Sequence, residues 1–308
     1  MRLTAPAKIN LYLEIIGSRT DGFHELAMVM QSIELADEVD IILSGDKRIQ
    51  VSCQNSQVPS DNSNLAYRAA ELMGKKFPDA FTKYGGFEIQ ITKNIPIAAG
   101  LAGGSTNAAA VFVAVDLLWN LGLTQGELQE ISAEIGSDIP FCISGGSAIA
   151  TGRGEQISPI PSLEGIYIVL GKYKSLEVST PWAYKTYRTQ FGHTYSQDID
   201  SLAVHSGNMV KAISKKDVKD ICQELHNDLE KVVLPEYPLV RELRETFHNA
   251  GVLGTMMSGS GPSVFGICES QQQAKEVEEY IRGKIPNMDL ELFVTKMVSH
   301  GIQVTSHA

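Results

Sequence analysis

Two periods of apolar and polar residues run through this chain, and the switches between them mark out its elements. PAKINLYLEII (6–16) is rich in β-branched and aromatic residues and predicts a strand, followed by a polar, glycine-containing turn, SRTDGFHE. MVMQSIELADEVDIILSG (28–45) and IQVSCQ (49–54) predict further strands. SNLAYRAAELMGKKF (63–77) instead places apolar residues at 65, 66, 69, 72 and 73, the spacing of a helix with one buried face. GFEIQITKNIP (86–96) returns to strand and runs into PIAAGLAGGSTNAAAVFVAVDLLW (96–119). The second half of that stretch is apolar nearly all round, which predicts a central, buried helix capped by Ser105 and ended by Gly122. Thr124 and Glu127 form a T-x-x-E capping box for a helix reaching about Ile135, and SGGSAIATGRGEQISPI (144–160) reads as a hairpin.

PIPSLEG (159–165) is the candidate boundary between two domains, 1–162 and 163–308. Beyond it the order is strand (GIYIVLGKY), several helices, strand (LGTMMSG), strand (SVFGIC), helix (QQQAKEVEEYIRG) and strand (LFVTKM). That β-α-β-β-α-β order predicts a ferredoxin-like unit, and the whole chain reads as α+β.

Composition narrows the function. The 308 residues are 43% hydrophobic and 20% charged, as in a folded globular protein. A net charge of −10 argues against a binder of nucleic-acid backbone, which needs a basic face. It leaves room for an anionic small ligand in a locally positive pocket. The four cysteines are far apart and form no C-x-x-C pair, so a reduced, cytoplasmic setting is expected, with no zinc knuckle. Asp116 interrupts the longest apolar run, and the start lacks the build of a signal peptide, so no membrane association is expected.

The glycine-rich stretch 96–107 has the strand–loop–helix form that offers free N–H groups and a positive helix end to phosphate. It lacks the Gly-Lys-Ser/Thr of a Walker loop and a clean G-x-G-x-x-G. On its own it reads equally as a tight turn with close packing. Lys8 within an apolar strand is either a surface lysine or one held by a carboxylate. Asp138, shortly before Pro140, has helix capping as its plain role. MSGSGPSVFG (257–266) joins two strands and reads as a hairpin turn, though a long and polar one whose amides would close over a ligand.

Taken together, PAKINLYLEI, PIAAGLAGGSTNAAA and MSGSGPSVFG resemble the three motifs of the GHMP kinase superfamily, and the likeness runs through nearly the whole chain. The resemblance implies a two-domain fold: an N-terminal nucleotide domain of the ribosomal-protein-S5-domain-2 kind and a C-terminal ferredoxin-like domain. It implies ATP as phosphoryl donor, an alcohol acceptor, and Mg²⁺ bound mainly through ATP's phosphates, with no metal ligands from the protein. TDGFHEL, the extra glycine in GLAGGST and GSDIPF look like the branch whose acceptor carries a cytidine diphosphate, in the non-mevalonate route to isoprenoid precursors.

Carried over on matching positions, Lys8 and Asp138 are the implied catalytic pair. The ammonium supplies the counter-charge, and the carboxylate takes the acceptor's proton. Asn64, Leu65 and Lys93 match positions near the adenosine. Pro96, Ile97, Ala98, Ala99, Gly100, Leu101, Ala102, Gly103, Gly104, Ser105, Thr106 and Asn107 match the phosphate loop. Asn10, Phe23, His24, Thr180, Pro181, Tyr184, Gly259 and Gly261 match the acceptor site, where Phe23 and Tyr184 would stack on the base and His24 read its edge. Core packing is the alternative for those two rings. The chain departs from the pattern at Ala98, Ala99 and Ala102, where many relatives have glycine, so these positions are expected at negative φ. Thr106 stands for a frequent serine and Phe23 for a frequent tyrosine. The implied protein is a monomer or weak homodimer with a small-molecule substrate. Rival readings are a family kinase for another alcohol, a diphosphomevalonate decarboxylase, a non-catalytic sensor that would have lost the Lys–Asp pair, and a dinucleotide oxidoreductase, which lacks its fingerprint.

Overall fold

Alternating apolar residues at the N-terminus fold as a long antiparallel hairpin. In the computed structural model, which describes residues 1–195 and 206–306, β1 (Arg2–Ser18) pairs with β2 (His24–Leu43). β2 is one continuous strand where the pattern suggested several, because no glycine or proline punctuates it. β3 (Ile49–Cys53) is followed by α1 (Leu65–Lys76) and α2 (Pro78–Tyr84), and then by β4 (Phe87–Thr92), which runs parallel to β3 and antiparallel to β2. Next come α3 (Gly103–Trp119), α4 (Gln125–Ser132) and α5 (Ile139–Ser144). β5 (Ser147–Thr151) and β6 (Gln156–Ile160) form the hairpin that the glycines predict, and β5 returns to pair with β2.

α3 is the buried centre of this half. Its apolar surface is nearly complete, and residues 106–112 are all buried. It ends at Asn120, a left-handed residue whose N–H bonds the carbonyls of Asp116 and Leu117, two residues before Gly122. The Thr124–Glu127 capping box is formed, with both reciprocal bonds present.

The second sheet is built from β7 (Tyr167–Tyr173), followed by α6 (Thr180–Phe191), a single 3₁₀ turn at Gly192–Thr194, α7 (Gly207–Lys215), α8 (Val218–Gln223), the short β8 (His226–Asn227), α9 (Glu230–Glu236) and α10 (Pro238–Asn249). β9 (Gly254–Met257), β10 (Val264–Cys268), α11 (Gln271–Lys284) and β11 (Leu290–Lys296) complete it. Its order, β11-β7-β10-β9, is the ferredoxin-like arrangement that the pattern predicts. Two later segments cross back to the first sheet. β8 pairs parallel with β1 at Tyr12 and Leu13, and β12 (Gln303–Ser306) pairs antiparallel with its start.

What positions the site is a change of face within β1. Without interruption, the odd-numbered residues Leu3 to Ile15 would all share one face. The register shifts between Pro6 and Ala7, and again between Asn10 and Tyr12. As a result Leu3, Ala5, Leu13 and Ile15 belong to the core under the helices. Ala7, Ile9 and Leu11 belong to a second core, shared with Ile168, Leu170, Phe265 and Ile267 of the other sheet. Lys8 and Asn10 are thereby turned toward the helix side. Among the described residues, no helix is long and apolar enough to cross a membrane.

Candidate active site

Lys8 is only 4% exposed. Its Nζ donates to Asn10 Oδ1 at 2.7 Å and lies 3.7 Å from Asp138 Oδ2. An ammonium this far from water must be paired, so the surface role falls. Asp138 occupies the N-cap position of α5, yet its side chain makes no capping bond. The capping role therefore falls too, and the carboxylate, about a third exposed at 34%, faces Lys8 across the cavity.

Between β4 and α3 the loop 93–102 departs from expectation. Ala98 and Ala102 have φ of 50° and 58°, in the left-handed region, which overturns the reading of negative φ for these two alanines. Such residues cost on the order of 1–3 kcal/mol each and persist where surrounding contacts over-determine them. Those contacts are present. Ala99 and Leu101 are buried, Lys8 N donates to Leu101 O at 3.1 Å, and Ser258 Oγ donates to Gly100 O at 3.2 Å. Gly100, at φ 73°, has no room for a side chain: a Cβ there would come within 2.3 Å of Ser258 O. Left-handed Ala102 starts α3 at Gly103, two residues before the predicted cap at Ser105, and no side chain caps it. The free amides and positive end of a 17-residue helix are thus left for a ligand.

Asp37, fully buried on β2, organises this loop. It accepts from Lys93 Nζ, from Asn107 Nδ2 at 2.8 Å, and from the N–H groups of Asn94 and Ile95 at 2.8 and 2.9 Å. Asp37 escaped the sequence reading because its neighbours Glu34, Glu38 and Asp40 are acidic as well. Asn64 caps α1 through Oδ1 to Ala66 N at 2.8 Å, and its Nδ2 donates to Pro59 O at 2.6 Å. Its side chain lines the cavity mainly by holding the preceding loop.

Lys8, Asp138, Asn64, Lys93, Asn107 and most of the loop line one cavity of about 1100 Å³. The structure brings almost all the sequence-predicted residues to its walls. Three stay outside. Leu101 is turned into the second core and Thr106 is fully buried in the first turns of α3, its Oγ1 without a partner among the described residues. Gly261 lies in the β9–β10 turn, where a Cβ would meet Met257 Sδ at 2.6 Å. That turn is both the hairpin its position suggested and a wall of the site, through Gly259 and Ser260. Thr180 and Ser260 share a hydroxyl hydrogen bond of 2.7 Å that ties it to α6, next to Pro181.

At the other end Phe23 is 52% exposed, so it is not a core residue, and the Arg153 guanidinium sits 5.0 Å from its ring centre. His24 and Tyr184 face each other with centroids 5.2 Å apart, tilted by 33°. Burial, aided by the charge of Arg188, pushes the His24 imidazole down to about 4, so it is neutral at physiological pH. Burial and then the Asp138 charge push the Tyr184 phenol up. Sequence reasoning missed Arg153, Lys185 and Arg188. Arg188 lies one helical turn beyond Tyr184, the one spacing that pointed to it. With these three, five Lys/Arg side chains and a single carboxylate line the cavity, so it is locally positive in an acidic protein. Among the described residues, no cluster of His, Cys, Asp and Glu is arranged to hold a metal by itself.

Comparison with known proteins gives a consistent picture. Residues 64–146 match the model of the GHMP kinases N terminal domain, and 209–287 that of the GHMP kinases C terminal. The chain is 66% identical over 310 residues to 4-diphosphocytidyl-2-C-methyl-D-erythritol kinase of Nostoc punctiforme, covering 99% of this chain and 98% of that protein. It is 52% identical over 310 residues to the Synechocystis enzyme of the same name, again covering 99% and 98%. Its fold is similar to a crystal structure of 4-(cytidine 5'-diphospho)-2C-methyl-D-erythritol kinase, with TM-score 0.76, 29% identity, and coverage of 96% of this chain and 99% of that one. Homoserine kinase from Cytophaga hutchinsonii, at TM-score 0.74 and 18% identity over 98% and 96% of the chains, shares the fold alone.

Asp37→Ala strands the buried Lys93 ammonium and should cost about 3–5 kcal/mol, the usual loss when one partner of a buried pair is removed. A urea midpoint close to wild type would show that Asp37 is dispensable. His24 sets a pH dependence. Its folded value, about 4, lies below the ordinary 6.5, so between these the unfolded chain binds the extra proton. Stability should fall as pH drops through that window, and His24→Gln should flatten the fall, read as Tm against pH.

Proposed function

The chain belongs to the GHMP kinases, and on that premise we propose that it moves the γ-phosphoryl group of ATP to the 2-hydroxyl of 4-diphosphocytidyl-2-C-methyl-D-erythritol. The products are the 2-phosphate and ADP, in the non-mevalonate (methylerythritol phosphate) route to isoprenoid precursors. One observation carries the reading: a single positive cavity joins an uncapped helix N-terminus to an aromatic and imidazole pocket, with Lys8 and Asp138 linked to both. Lys8 is tied by its backbone to the phosphate loop, and the Asp138 charge is felt at Tyr184.

The residues divide the work as follows. The amides at the start of α3, with Lys93 fixed by Asp37, would hold the triphosphate. Phe23 and Tyr184 would sandwich the flat base and His24 would read its edge. Asp138 would accept the proton of the 2-hydroxyl as that oxygen bonds to phosphorus and the bond to ADP's oxygen breaks. Phosphoryl transfer has a loose transition state, so aligning the hydroxyl matters more than base strength. Lys8 would offset charge on the moving group. Bound Mg²⁺ would neutralise the phosphate oxygens, held through them and water, which suits a site with no acidic cluster among the described residues. The reading extends to a cytoplasmic monomer or weak homodimer with no nucleic-acid or membrane partner, in keeping with four unpaired cysteines and a net charge of −10.

A coupled ADP-release assay with Mg·ATP and, in separate wells, the cytidylyl alcohol, mevalonate and homoserine tests the reaction. Turnover is expected with the first alone, and Asp138→Asn should lower kcat by about 10²–10⁴ while both ligands still bind. Turnover with another alcohol, or a near-normal rate in the variant, would sink the assignment. Tyr184→Ala should raise the Kd for the cytidylyl ligand about ten- to a hundredfold, the worth of one stacked base. A lower Tm with unchanged Kd would make that ring a packing residue.

A further inference from the structure

Arg188 stands on α6 with its guanidinium turned back to the loop before β2. Its Nη2 donates to Gly22 O at 2.7 Å and reaches Phe23 O at 3.4 Å, while Nε points at His24 Nε2 at 3.4 Å. We propose that Arg188 is a positioning residue that favours cytosine over uracil in the cavity, by fixing the His24 proton on Nδ1.

A guanidinium carries donors only and never gives up its charge. The imidazole nitrogen facing it must therefore present a lone pair. His24 is neutral, as its burial and the nearby cation require, so it has a single N–H and that hydrogen resides on Nδ1. Among the described residues the imidazole's one hydrogen bond is that from Arg188 at Nε2, which leaves Nδ1 for a ligand, and the ring lines the cavity against Tyr184. A fixed donor thus stands where, on the functional reading above, the edge of the base arrives. N3 of cytosine is an acceptor and pairs with that donor. N3 of uracil carries a hydrogen, and two donors would meet. With Arg188 removed, the imidazole is free to move its proton to Nε2, and Nδ1 would then accept from uracil as readily.

The inference rests on the cytidylyl reading of this end of the cavity, and the test separates the two. Imidazole nitrogens of ¹⁵N-labelled protein would be read by long-range ¹H–¹⁵N correlation near neutral pH, with His24 assigned through His24→Gln. Affinities for CDP and UDP would be measured by calorimetry. Wild-type protein should show His24 protonated on Nδ1 and bind CDP more tightly than UDP. Arg188→Met keeps the aliphatic stem of an exposed side chain. It should move the proton to Nε2 and shrink the CDP-to-UDP affinity ratio about tenfold, the size of one matched against one mismatched hydrogen bond. A proton that stays on Nδ1 in the variant, or equal weakening of both ligands, would overturn the proposal and leave Arg188 as a clasp for the Gly22 loop. Wild-type protein that binds neither CDP nor UDP would overturn the cytidylyl reading itself, and this proposal with it, before any variant is needed.

Discussion

A lysine ammonium withdrawn from water is the constraint around which the rest of this molecule is arranged. Lys8, in an otherwise apolar stretch of β1, requires compensation close by, and it comes from a hydrogen bond to Asn10 on the same strand and an ion pair at 3.7 Å with Asp138 at the start of α5. Holding that group inside demands that β1 change face twice, once before Lys8 and once after Asn10. The same two shifts free Ala7, Ile9 and Leu11 to seal the first sheet against the second. The same pair of shifts thus serves both the junction of the two sheets and the placing of Lys8 beside Asp138.

The glycine-rich loop before α3 shows a second economy. It contains two left-handed alanines, an arrangement that an isolated peptide would abandon. Asp37 holds it from below by accepting hydrogen bonds that converge on its carboxylate, and the Ser258–Gly261 turn holds it from the other sheet. That turn is in turn clasped by Asn227, whose Nδ2 donates to Met257 O and Gly259 O at 2.8 Å each. The cavity wall is therefore continuous across both sheets, which suits a site that must align two substrates to within a fraction of an ångström.

Much of the site was readable because its residues break local rules. Lysine in an apolar strand, a glycine-rich entry to an apolar helix and an over-long polar hairpin each conflict with their surroundings, and such conflicts collect at functional sites. Asp37, Arg153 and Arg188 break no such rule. They are charged residues among charged or polar neighbours, and their importance comes from partners far away in the chain. The alanine reading failed for a related reason. Side-chain size states what a residue prefers, whereas the packed loop decides what it adopts.

The sequence by itself determined the periodicities, and through them the central helix α3, the capping box of α4, the β5–β6 hairpin and the ferredoxin-like order of the second sheet, because each depends on contacts between residues a few positions apart. It also held the chemical types of the site. Only the tertiary structure decided which face of β1 carries Lys8 and Asn10, that β8 and β12 cross back to complete the first sheet, and that Asp37 and Arg188 govern Lys93 and His24. Those outcomes rest on strand register and on close approaches between distant segments. A one-residue shift in register reverses a strand's faces without altering its composition, so no local pattern records it.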